Sequence, residues 1–309
     1  MRIGLVTSPD RVGQISLTDL VEQVVQAEAA GFASFWLVQL PLAGNDVLTA
    51  IALAGQKTSQ IELGTAVISI YSRHPLTLAQ QTLSTQVAVD GRFTLGIGLS
   101  HQPVVEYMMG LSYDKPARYM KEYLSVLRPL LAGQKVNFSG ENFQVNASLH
   151  VNNSTPSPVL LAALAPLMLR LAGETADGTV TWMTGLSTIA NHIVPRITAA
   201  AVGRPQPRVV ASLPLLVTDD VANGREQIGK AYVRYGQLTN YRRMLDLEGA
   251  AGPAEVAIVG NEREVESQLR ALADAGATDF IASVHYEGDD NTLSQTRTWE
   301  FLKSLGGKI

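Results

Sequence analysis

Residues 2–39, RIGLVTSPDRVGQISLTDLVEQVVQAEAAGFASFWLVQ, carry two β-rich apolar runs, Arg2 to Thr7 and Ala33 to Gln39, on either side of a segment with helical periodicity. Ser16, with Asp19 three residues on, is a capping-box pattern that opens an apolar stripe through Leu20, Val24 and Ala27. Gly31 stands where a helix ends on a left-handed residue. Strand, capped helix, glycine, strand is the unit from which parallel sheets are built. The joint recurs near the other end of the chain. Ala275-Gly276-Ala277-Thr278-Asp279-Phe280 looks like Ala30-Gly31-Phe32-Ala33-Ser34-Phe35, and Asn261 with Glu264 opens the helix before it.

Between these two ends the same alternation continues. Further strands are predicted over Ile61 to Ile68, Phe93 to Gly98, Pro158 to Leu164, Gly178 to Met183, Arg208 to Val217 and Asp279 to His285. Several are apolar on both faces, as strands covered by helices are. Eight units predict a closed (β/α)8 TIM barrel, α/β in class, and 309 residues suit one such domain over 1–309. Two stretches exceed the repeat. After the fourth strand, Val136 to Val145 alternates around Ser139-Gly140 and reads as a hairpin. After the seventh, Asp219 to Pro253 is a long helical region with Tyr232, Tyr235, Tyr241, Arg242 and Arg243, placed where lids and substrate walls arise.

Composition narrows the function. A net charge of −4 without a basic cluster argues against nucleic acid, because phosphate backbones require concentrated Lys and Arg. The absence of cysteine removes disulfides, thiol nucleophiles and Cys-zinc sites. The longest apolar run, Val159 to Leu169, is broken by Pro166 and closed by Arg170, too short to span a bilayer. The first residues read as a strand leading to polar Ser8 and Asp10, not as a signal peptide. The expectation is a soluble, cytoplasmic protein acting on a small molecule, with no nucleic-acid or membrane partner.

No GxSxG, HExxH, GxxxxGK[ST] or EF-hand pattern is present, and His74, His101, His150, His192 and His285 have no metal-site spacing, so no metal is expected. Asp219-Asp220 and Asp289-Asp290 read as turn or helix-cap residues. An enzyme-like chain with few reactive side chains lets a cofactor carry the chemistry. Three strand ends are informative. Gly96 and Gly98, followed by Leu99, Ser100 and His101, would let a ligand ring approach the backbone and then meet polar groups; a tight turn with Ser100 as a cap reads equally well. Ala66, Val67 and Ser69 read as pocket residues, with Tyr71 following, whereas Arg73 and His74 read as structural. Leu164-Ala165-Pro166-Leu167-Met168 starts a helix, whose free N–H groups would hold an anion.

At these places the sequence resembles the luciferase-like flavin oxidoreductases, and most closely their branch that depends on the deazaflavin coenzyme F420. The matching stretches are Gly64 to Val67 with Arg73-His74-Pro75, Gly91 to Gly98, Ala162 to Met168 with Leu171 to Gly178, and Asp274 to Phe280. The resemblance implies a barrel with the cofactor across the strands' C-terminal ends and a dimer. It also implies a non-prolyl cis peptide at Ala66–Val67 under the ring system. It places Gln39, Ala66, Val67, Ser69, Leu99, Ser100, Leu164, Ala165, Leu167 and Met168 at cofactor contacts, the last group around the phosphate.

Departures from that branch restrict the substrate. The deazaflavin-dependent sugar-phosphate dehydrogenases have an Asp-His pair after the second strand, an acidic residue after the fourth and a phosphate-gripping lysine; here stand Gln39-Leu40, His101 and Leu186. These replacements argue against oxidation of a sugar phosphate. Leu40, Leu99, Tyr71, Trp182, Met183 and Leu186 are expected to make an apolar substrate pocket. The reading is hydride transfer between the deazaflavin and an uncharged organic substrate with an activated C=C or C=N bond, such as an enone, imine or dehydroamino acid. His101, the candidate catalytic residue, would supply a proton. The alternatives are a two-component monooxygenase using flavin mononucleotide (FMN) on the same fold, and a non-catalytic barrel that stores or senses the cofactor.

Overall fold

Short strands rich in Val, Ile and Leu, each followed by a helix that covers its outer face, set the architecture. A computed structural model of the chain describes residues 1–7, 13, 15–40, 43–285 and 292–309. Ser8, Asp10 and Asp289-Asp290 lie outside the described residues. We number the barrel strands β1 (Arg2–Val6), β2 (Ser34–Leu37), β3 (Glu62–Thr65), β4 (Phe93–Gly98), β5 (Val159–Leu161), β6 (Gly178–Val180), β7 (Arg208–Val217) and β8 (Asp279–Val284). Each pairs in parallel with the next, from Leu5↔Phe35 through Val210↔Asp279, and Arg2↔Asp279 joins β8 back to β1. The result is a closed eight-stranded (β/α)8 barrel.

All eight strands coincide with the runs expected from the sequence. Local punctuation explains their spacing. Ser16 Oγ accepts from Asp19 N, and Asn261 with Glu264 forms a reciprocal capping box. Gly31 and Gly276 adopt φ +83° and +99°, turning each helix into the next strand. The insertion after β4 contains the antiparallel pair Val136–Ser139 and Gln144–Ala147. That after β7 contains the helices Val221–Ala231 and Thr239–Glu248. A further strand, Ile258–Gly260, pairs with the upper part of β7, Leu215↔Ile258 to Val217↔Gly260. The sequence does not predict it, because three residues are too few to show a period.

Inside the barrel the side chains form layers. Arg2, Glu62, Arg208 and Asp279 close the end where the strands begin: Arg208 reaches Glu62 at 2.8 Å and Asp279 at 2.7 Å. Above them Trp36 is fully buried, its Nε1 donating to Ser34 Oγ at 2.9 Å, among Val6, Leu160, Val180, Val210 and Ile281. Gly64 leaves room for the indole, since a Cβ there would collide with its ring. Val38, Ala66 and Val67 finish this column at the strands' C-terminal ends. No helix among the described residues is long and apolar enough to cross a membrane.

Candidate active site

Above Val67 the barrel opens into a cavity of about 640 Å³. It is walled by strand ends from β1, β2, β3, β4, β5, β6 and β7, and by both insertions. Its floor is shaped at the end of β3. The ladder with β4 is interrupted at Ala66–Val67, which is cis, and resumes at Ile68↔Ile97 and Ser69↔Gly98. Two glycines accommodate this bulge. A Cβ on Gly96 would collide with the Thr65 carbonyl oxygen, and one on Gly98 would lie 2.8 Å from Val67 Cγ2. The sequence suggests that both glycines admit a ligand; the structure uses Gly96 first to admit the Thr65 backbone and Gly98 to admit the Val67 and Ala162 side chains. Only Gly98 also lines the cavity.

Thirteen of the expected residues are brought together on the cavity wall: Gln39, Leu40, Ala66, Val67, Ser69, Leu99, Ser100, His101, Leu164, Ala165, Leu167, Met168 and Trp182. Gln39 has a structural task as well, its Oε1 accepting from Val47 N at 3.2 Å. Ser100 turns the chain with φ +59°. Ala165 is the N-cap of the helix Pro166–Thr175; Leu169 N is bonded to Ala165 O, whereas Leu167 and Met168 present first-turn N–H groups. The preceding loop is held by His192, whose Nε2 donates to Leu164 O at 2.7 Å.

Tyr71, Met183 and Leu186 do not line the cavity, and the substrate role expected for them is corrected. Tyr71 is buried behind the wall, stacked on Tyr119 at 4.4 Å and tilted against Tyr113 at 5.6 Å; Tyr113 takes the wall position instead. Met183 is wholly buried by a left-handed turn at φ +53°. Leu186 faces outward, 42% exposed, because Glu248 holds its turn by accepting from Ser187 N and Thr188 N.

The cavity also contains residues to which sequence reasoning assigns no site role. His74 is structural as expected, accepting from Leu76 N through Nδ1, but Arg73 lines the wall and pairs with Asp46. Tyr235, Asn240, Tyr241 and Arg243 arrive from the insertion after β7, the segment expected to supply walls. The aromatic rings form a chain: His101 to Tyr241 at 5.6 Å, Tyr241 to Tyr235 at 5.4 Å, Tyr235 to Trp182 at 5.7 Å. Asp219 and Asp220 are not part of the site. Asp219 pairs with Arg297, and Asp220 caps the helix Val221–Ala231.

Burial lowers the His101 imidazole below its ordinary pKa of 6.5, so it is neutral at pH 7. Burial raises the phenols of Tyr113 and Tyr241, keeping both protonated. Several buried polar atoms of wall residues have no partner among the described residues: Ser69 Oγ, Arg73 Nη1, Thr181 Oγ1 and Trp182 Nε1. They lie behind the wall surface, and the cavity itself is concave and mostly apolar, the form of a small-molecule site.

The profile of the luciferase-like monooxygenases matches residues 1–279. A 5,10-methylenetetrahydromethanopterin reductase from Methanolobus tindarius is 31% identical over 152 residues, 49% of this chain and 46% of that protein, so the match spans just under half of that relative's length. An F420-dependent glucose-6-phosphate dehydrogenase from Beutenbergia cavernae is 27% identical over 319 residues, covering 98% of this chain and 88% of that one. Among solved structures, the oxygenating constituent of 3,6-diketocamphane monooxygenase from Pseudomonas putida, bound to FMN, superposes with a TM-score of 0.77. It shares 17% identity across 100% of this chain and 97% of that one, a likeness of fold.

Proposed function

This chain belongs to the luciferase-like monooxygenase family, and we propose that within it the protein is a deazaflavin-dependent oxidoreductase. It passes a hydride between coenzyme F420 and a small, largely apolar organic substrate with an activated C=C or C=N bond. One observation carries the reading: a floor made by Ala66, Val67 and Gly98 shares the cavity with the first-turn N–H groups of Leu167 and Met168. A flat ring with a phosphate on its tail would use both at once.

The residues present fit such a cofactor. The Leu167 and Met168 N–H groups would hold its phosphate, as helix starts hold anions. Ala66 and Val67 would support the ring, and Leu40, Leu99 and Trp182 would exclude water from the reacting bond. When bound, the coenzyme supplies the two-electron carrier that the side chains lack. His101 would handle the accompanying proton, so that hydride and proton add to, or leave from, the two atoms of the double bond. A relative whose name specifies F420, matched over 98% of this chain, favours the deazaflavin over FMN.

A side-by-side binding titration with F420 and FMN, accompanied by oxygen uptake with each reduced form, tests this. Tighter binding of F420 and no oxygen uptake is expected. Tighter binding of FMN, with oxygen consumed, would make the protein a monooxygenase instead. Binding of F420 without turnover of any enone, imine or dehydroamino acid would leave a storage or sensing barrel.

A further inference from the structure

Among the described residues, Arg73 and Arg243 are the two arginines of the cavity wall, and no aspartate or glutamate lines it. This cationic lining belongs to a chain whose net charge is −4. The two cations are not equivalent. Arg73 is neutralised by Asp46, the N-cap of the helix Val47–Gly55. Arg243 makes no ion pair or hydrogen bond with any described residue. Its neighbour Arg242 has the opposite character: it bonds Asp246 at 2.8 Å and the carbonyls of Ala250 and Ala251, stitching the helix Thr239–Glu248 to the loop beyond its C-terminus.

Asn240 lies three residues before Arg243 on this helix, a spacing that puts both on one face, and both line the cavity. Its carboxamide has no partner among the described residues either. Both side chains are exposed where the cavity meets solvent, and with no carboxylate among the described lining residues to compete, the guanidinium is available to an anion that enters there. The fork of one guanidinium matches the two oxygens of a carboxylate, and an adjacent amide N–H adds a third donor. A phosphate dianion calls for more positive charge than this pair offers.

Resting on the reading of this cavity as the substrate site, we infer that the substrate carries a carboxylate held by Arg243 with Asn240. Within the activated C=C and C=N compounds, the class is therefore unsaturated and imino acids. The hydrocarbon part lies against Leu40, Leu99 and Trp182, and the reacting bond between them and His101. The cavity is thus apolar at its floor and cationic on its insertion side, and an acid is proposed in place of the uncharged substrate expected from the sequence.

Calorimetric titration with matched pairs tests the inference: acrylate, crotonate, cinnamate and 2-acetamidoacrylate, each beside its amide. The F420-loaded protein, the cofactor-free protein, Arg243→Ala and Arg243→Lys are compared at low and high salt. In at least one pair the acid binds more tightly than the amide, by roughly two- to tenfold, as expected for a bidentate pair at an exposed guanidinium. Arg243→Ala removes that preference, affects amide binding far less and leaves the melting temperature unchanged; Arg243→Lys keeps part of it. The inference falls if no acid outbinds its amide, or if the preference survives Arg243→Ala. It also falls if Arg243→Ala weakens F420 alone, since the arginine then serves the cofactor. An acid preference that persists in a protein unable to bind F420 upholds the carboxylate site and overturns the cofactor assignment.

Discussion

His101 comes directly after the left-handed residue Ser100, which turns the chain off β4 and points it across the cavity toward Tyr241. Burial keeps its imidazole neutral, so at pH 7 it is ready to accept a proton and must be protonated before it can return one. Tyr241 beside it adds no charge, because burial, and then Tyr235, raises its phenol. A base that must be neutral to act fixes the sign of the pH dependence. Measured in the direction of substrate oxidation, kcat/KM is flat above about pH 6.5 and declines as pH drops through the lowered His101 value. His101→Gln abolishes that acid limb and reduces saturated turnover by about 10²–10⁴-fold. Its melting temperature is that of the parent protein. A variant with parental turnover and a reduced melting temperature would make His101 a structural residue.

Arg243, Asn240 and Tyr241 ride on one element, the helix Thr239–Glu248, and the position of that helix is fixed at its last residue. Glu248 accepts from Ser187 N at 3.0 Å and Thr188 N at 2.7 Å, capping the helical turn Leu186–Thr188 beyond β6. Glu248→Ala removes both bonds, at a cost of about 1 kcal/mol on the scale of lost helix caps. The larger effect is on the wall: KM for the organic substrate rises several-fold, kcat changes little, and steady-state assays at saturating F420 separate the two. An unchanged KM would show that Arg242, the Thr188 hydroxyl on Met244 O and the buried Met244 and Leu245 hold the helix without Glu248. The contrast between elements also explains what was legible in the sequence. The barrel could be read because capped helices and apolar runs are local patterns, and Pro166 marked the helix start at Leu167 and Met168. Met183 and Leu186 could not, because past a strand end the direction of a side chain depends on turns such as φ +53° at Met183. Tyr71 and Tyr113 both follow strand ends, and which of them reaches the cavity depends on packing, with Tyr71 stacked on Tyr119 and tilted against Tyr113. Arg243 lies so far from β4 along the chain that no local pattern brings it to His101.

Over the whole molecule, stability and chemistry occupy opposite ends of the barrel. The cavity opens where the strands finish, while the Arg2, Glu62, Arg208 and Asp279 network closes the end where they start. Thr94 Oγ1 donates to Glu62 at 2.6 Å, so the carboxylate has several partners. Burial on its own would raise the Glu62 pKa, but the charge and hydrogen bonds of Arg208, with Arg2 and Thr94, hold it below its ordinary 4.5. A depressed carboxylate stabilises the fold above its unfolded pKa, and that contribution is lost as pH falls through the folded value. Glu62→Gln should therefore lower stability at pH 7 by about 3 kcal/mol, because it leaves Arg208 and Arg2 short of a buried counter-charge. As pH falls through the lowered folded value the parent protein protonates Glu62 and comes to resemble the variant. The gap between their urea unfolding curves narrows accordingly. F420 affinity at pH 7, measured on the folded variant, stays at the parental value, since no member of the network lines the cavity. A stability gap constant from pH 7 to pH 3 would remove Glu62 from the acid response, and a fall in F420 affinity would show that the two ends of the barrel are coupled.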